Sequence, residues 1–176
     1  YCSLDTCLSM AANAFKKSRI ISSKTKSKYL LGISITANLA TTYEKKGDHK
    51  FFIVVQTDSY TKYLECFIDK GKRTREEEEE LITGCVIHLL AESCHLKYDL
   101  PKIQEEIKIN QVDAEKSWKK LFNNKVGFIS NNKNKPELIF PGSFNPLHEG
   151  HLKMKELAEK KTGMHTTFEI CAKNAD

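Results

Sequence analysis

The sequence predicts an α/β protein made of two successive parts. Three observations carry that expectation. Residues 1–96 alternate helical and strand-like patterns, with two β runs joined by a short polar turn. Residues 137–172 read strand, loop, helix, strand. Between them the polar stretch NNKNK (131–135) ends at Pro136 and interrupts the pattern. We therefore expect a first α/β domain over 1–96, a connecting segment over 97–135 and a second domain over 136–176. A length of 176 residues accommodates two small domains.

Each element has its own signal. In LDTCLSMAANAFKKSR (4–19) the positions Leu4, Cys7, Leu8, Ala11, Ala14 and Phe15 recur at helical spacing. Ser3 suits the N-cap, Asp5 the first turn, and the lysines the C-terminal end. YLLGISIT (29–36), KFFIVVQT (50–57) and TKYLECFI (61–68) are strand-like, and the last two flank a turn at Asp58-Ser59. The segment 37–49 has no periodicity and reads as a long loop. A helix is predicted over 74–96, with Thr74 as N-cap and a solvated run of glutamates opposing the dipole. Leu81, Ile82, Cys85, Leu89 and Leu90 form its buried stripe, with His88 in a packing role beside it. Ile103, Ile107 and Ile109 fit helix or strand alike. A helix is expected over 113–122 from an Asp113 cap, and a short strand over 126–130. The second domain reads as strand 137–141, helix 149–162 with Gly163 as its stop, and strand 166–172. That order implies a parallel, right-handed βαβ unit.

Composition narrows the function classes. Forty per cent of residues are apolar and 29% charged, as in soluble globular chains. The formal charge of +5 is spread over lysines at 16–28, 45–50, 116–125 and 133–135 rather than along one helix. A small anionic substrate explains that bias as well as a polyanion does, so no nucleic-acid partner is expected. No apolar run approaches the ~20 residues of a membrane span, so no membrane partner is expected either. The six cysteines (Cys2, Cys7, Cys66, Cys85, Cys94, Cys171) form no C-x-x-C pair, which suggests reduced thiols, no zinc site and a cytoplasmic location. No signal peptide is legible, although the chain opens on Tyr1 rather than Met. An oligomer is compatible with all of this.

The chemistry is concentrated in FPGSFNPLHEGH, Phe140 to His151. A strand must turn sharply at its carboxyl edge. Gly142 allows an unusual backbone dihedral and close approach of a bulky anion. Asn145-Pro146 fits a helix entry, with Asn capping and Pro in the first turn. The helix start then aims N–H groups and the positive dipole end at the crevice outside the strand ends. His148 and His151 are three apart and share a face. Gly150 omits a side chain where a nucleotide could pack.

His148-Glu149-Gly150-His151 after Gly142-Ser143-Phe144-Asn145-Pro146 resembles the H-x-G-H signature of the cytidylyltransferase-like nucleotidyltransferase superfamily. The resemblance covers residues 137–176. It implies a Rossmann-like domain in which His148 and His151 stabilise a triphosphate and the departing pyrophosphate. Gly142, Ser143, Phe144, Asn145 and Gly150 would contact the nucleotide. The substrates implied are ATP or CTP with Mg²⁺, and a small phosphorylated or acidic acceptor. Lys153 and Lys155 are expected at the surface, and Asn174 and Asp176 are placed to line the crevice. The family's second phosphate motif, of the S-T/S-x-x-R type, has no counterpart here. The expectation is of a truncated domain, inactive alone.

Residues 32–57 are similar to the later part of the CinA-type amidohydrolase domain, whose best-known activity deamidates nicotinamide mononucleotide. Gly32, Thr36, Leu39, Ala40, Thr41, Lys45 or Lys46, Gly47, His49 and Gln56-Thr57 carry the likeness. The family's E-S-C-T-G-G serine segment is missing. Glu92-Ser93-Cys94 echoes it without the glycines, at the end of a helix. Thr36, Thr41 and His49 remain candidates for contacting a phosphate. The sequence thus favours a nucleotidyltransferase over a non-catalytic nucleotide-binding scaffold or a pyridine-nucleotide amidohydrolase.

Overall fold

The computed structural model describes residues 2–43, 46–132 and 135–171. Among these the protein is mixed α/β, with four α-helices, an antiparallel four-stranded sheet and a parallel two-stranded sheet. It divides into two compact units, Tyr1–Lys119 and Lys120–Asp176.

In the first unit, α1 (Leu4–Ile21) starts at Ser3, whose hydroxyl accepts the Thr6 N–H. Then come β1 (Gly32–Asn38), β2 (His49–Gln56), β3 (Tyr60–Ile68), α2 (Arg75–Ser93) and β4 (Ile107–Asp113). The sheet order is β1-β2-β3-β4, every pair antiparallel. Alternation along β2 builds two cores. Phe51, Ile53 and Val55 join Leu64, Cys66 and Ile68 of β3 under Leu81, Ile82, Cys85 and Leu89 of α2. Phe52 and Val54 meet Cys7 and Ala11 of α1 on the other face. The helix α1 crosses the sheet at Gly32, where a Cβ would lie 2.3 Å from both the Ala11 carbonyl oxygen and the Phe15 backbone nitrogen. Only glycine admits that approach. The division between units falls within α3 (Lys116–Phe122).

The second unit holds β5 (Leu138–Gly142), α4 (Glu149–Thr162) and β6 (Thr166–Ile170), with β5 and β6 parallel. Gly163 closes α4 at φ 70° with its N–H on the Glu159 carbonyl.

Several elements differ from expectation. The strand predicted from residue 29 begins at Gly32, because Ser27–Tyr29 close a 3-10 turn with the Tyr29 N–H on the Lys26 carbonyl. The segment expected to be a connector supplies β4, whose ladder to β3 takes up Asp113. Asp113 therefore pairs with Tyr60 and caps no helix. Residues 126–130 form no strand: β-favouring side chains need a neighbouring ladder, and none pairs with them among the described residues. The glutamate run is not uniformly solvated. Glu78 stands three and four residues before Leu81 and Ile82, hence on their stripe, and is fully buried. The predicted strand over 166–172 ends at Ile170. Ala172, like Lys45, Asn174 and Asp176, lies outside the described residues. None of the six cysteines is in a disulfide. Among the described residues no helix is long and apolar enough to cross a membrane.

Candidate functional site

The motif Phe140 to His151 runs from the carboxyl half of β5 into the first turn of α4. The helix N-cap is His148, not Asn145, so Pro146 precedes the helix instead of opening it. Asx side chains are the usual caps. Here two imidazoles perform the task reciprocally. The His148 Nδ1 accepts the Gly150 N–H at 3.2 Å, and the His151 Nδ1 accepts the His148 N–H at 3.3 Å. Residues three apart in a helix stack one above the other, and these rings lie 3.7 Å apart at 28°.

That arrangement fixes tautomers. An imidazole nitrogen that accepts a backbone N–H carries no proton, so the neutral ring holds its proton on Nε2. Both histidines therefore offer Nε2–H donors at the positive end of α4. Ligands able to use them are hydrogen-bond acceptors, anions foremost.

Gly142 and Gly150 both lie against aromatic side chains of the protein itself. Gly142 ends β5, and the left-handed residue of the loop is Phe144, at φ 47°. Such backbone costs an L-residue ~1–2 kcal/mol. The Phe144 ring folds back over Gly142, where a Cβ would come within 2.7 Å of its Cζ. The same ring stands edge-on to His151 at 5.0 Å, to Phe140 at 5.4 Å and to Phe168 at 4.7 Å. At Gly150 a Cβ would lie 3.0 Å from the His148 ring. Each glycine thus makes room for one of the protein's own rings. Ser143 and Asn145 are exposed in the same loop. Of the two lysines, Lys153 pairs with Glu149 at 3.6 Å, and Lys155 reaches Glu159 and lies over the Phe168 ring. Sequence reasoning treated Phe144 only as a nucleotide contact, and nothing in its type or spacing signals its packing on His151.

The first unit contains a cavity of about 670 Å³ lined by Thr41, Tyr43, His49, Lys70, Arg73 and Thr74, among others. Its wall is organised by Glu78. One oxygen accepts the Ala40 N–H at 2.6 Å and the other meets the His49 Nδ1 at 2.9 Å, which ties the loop after β1 to α2. Arg73 makes a two-pronged pair with Glu105, and the guanidinium holds that carboxyl down at about 2. Of the three candidate phosphate contacts, Thr36 donates to the Ser3 carbonyl, Thr41 to the Tyr43 carbonyl, and His49 serves Glu78. The structure brings Thr41 and His49 to the cavity and not Thr36. The Ser93 hydroxyl is spent on the Leu89 carbonyl, and Cys94 ends the helix.

No protein family, curated protein or solved structure matches the chain.

Proposed function

We propose that the second unit is the nucleotide-handling part of a nucleotidyltransferase. It would use ATP or CTP, a phosphorylated or acidic acceptor, and release pyrophosphate, in the cytoplasm. The observation that supports the reading is the pair of Nε2–H donors on stacked His148 and His151, at a helix N-terminus beyond a parallel strand. Such donors act on charge that builds up on phosphate oxygens as the leaving group departs. The donor set suits an anion and not a bare cation. Among the described residues no group of three or more His, Cys, Asp or Glu is placed to hold a metal. Mg²⁺ would then ride on the triphosphate, which it would help to neutralise.

The test is nucleotide binding by the 176-residue chain, followed by nucleotidyl transfer in any longer form that turns over. His148→Ala and His151→Ala should each slow transfer by ~10²–10³, the scale of losing one preorganised donor. Ground-state affinity should fall much less. Full transfer by the double variant would overturn the reading.

A further inference from the structure

The left-handed backbone of Phe144 is anomalous for a large aromatic residue. Its ring meets Gly142, Phe140, Phe168 and His151. His151 in turn stacks on His148, and each ring accepts a helix-entry N–H. Gly142, Phe144, His151 and His148 therefore form one contiguous series. We propose that Phe144 is a positioning residue: its ring, seated on the bare backbone of Gly142, sets the plane of His151 and through it the pair of Nε2–H donors.

The proposal rests on the anion-site reading of His148 and His151, but it gives Gly142 a different purpose. If the glycine served a phosphate directly, its Cβ would obstruct the ligand whatever stood at position 144. Here the Cβ obstructs Phe144, 2.7 Å from Cζ and 2.9 Å from Cε1. The edge-on geometry matters as well. Phe144 meets His151 at 88°, which turns its ring edge toward the imidazole face, or the reverse, and leaves few alternative planes for His151. A merely space-filling residue would leave only the Nδ1 hydrogen bond and the stack on His148 to hold the imidazole plane.

The two purposes separate in a double-variant cycle on the full chain. Long-range ¹H–¹⁵N spectra of the histidines report which ring nitrogen carries the proton, and a titration with inorganic pyrophosphate reports affinity. Wild type should show His148 and His151 as single Nε2–H tautomers. Gly142→Ala should mix the His151 tautomers and weaken pyrophosphate binding about twofold to tenfold, the range that one aromatic pair carries. Phe144→Leu should have a similar effect, and Gly142→Ala should add little to it, because the atom it displaces is gone. Phe144→Tyr keeps the ring but adds a hydroxyl at Cζ, the atom seated on Gly142, and should disturb both signals as Gly142→Ala does. Additive losses from Gly142→Ala and Phe144→Leu would overturn the proposal, as would unchanged tautomers in Phe144→Leu. If wild type binds no pyrophosphate, the functional reading fails, and the tautomer spectra still decide whether Phe144 orients His151.

Discussion

Gly32→Ala tests the close crossing of α1 over the sheet. The added Cβ would stand 2.3 Å from two backbone atoms of α1 and 2.9 Å from the Phe15 Cα. None of these is the end of a flexible side chain, so relief requires moving the helix by roughly an ångström. Overpacking of a tight core commonly costs ~1–3 kcal/mol, and rigid backbone on both sides places this case at the upper end. Lifting α1 also opens the smaller core of Cys7, Ala11, Phe52 and Val54. For a unit of this size ~3 kcal/mol corresponds to a fall in Tm of about 10 °C. Cys7 supplies a second readout. It is fully buried, and burial pushes its thiol up, so it should resist alkylation in the wild type and become reactive in Gly32→Ala below the melting transition. A melting point within ~2 °C of wild type, with Cys7 still protected, would refute the close-crossing account.

Other outcomes follow from the same geometry. Glu78→Ala strands the Ala40 N–H and the His49 ring, and should cost about 2–3 kcal/mol by urea unfolding, as leaving buried hydrogen-bonding groups unpaired does; a loss below ~1 kcal/mol would show these hydrogen bonds to be dispensable. Glu105 has its carboxyl lowered to about 2 by Arg73, so the stability it contributes is complete above its unfolded value near 4.5 and disappears as pH falls toward 2. An Arg73→Gln chain should lose most of that acid dependence, which pH-resolved unfolding would show. Thiol labelling of native protein at pH 8 should modify exposed Cys94 and Cys171 first. Cys66 and Cys85, pushed up by burial to about 11 and about 12, should react last. Equal rates for all six would contradict the burial described.

The elements whose periodicity was strong were legible in the sequence. Ser3 and Thr74 cap their helices, the β2–β3 hairpin turns at residues 57–59, and Gly163 stops α4. Long-range pairing was not legible. Whether Ile107 and Ile109 belong to a strand depends on β3 offering a free edge, which no local pattern records. Asp113 read as a cap because its type suits one, yet the ladder claimed it first. Glu78 was misread for the same reason. Its charge suggested solvent, while its place on the helix put it under Ala40 and beside His49, where hydrogen bonds make burial tolerable. At the candidate site, residue type and spacing put His148 and His151 on one helix turn, but they do not record that the Cβ positions of Gly142 and Gly150 face the rings of Phe144 and His148.

The order of strands in the first sheet also fixes how it can assemble. Neighbours β2 and β3 are joined by residues 57–59 alone, and β1 and β2 by 39–48, so three strands can zip together through short closures. The fourth must wait for residues 69–106, including all of α2, to be laid down between its partner and itself. Each doubling of a closing loop costs ~0.6 kcal/mol of chain entropy, which puts β4 at a disadvantage of about 2 kcal/mol against the hairpin. Its side chains recover little of that, since six of its seven residues are exposed. In time-resolved hydrogen exchange β4 should be the last strand to gain protection on refolding and the first to lose it, a detachable border on a three-stranded nucleus.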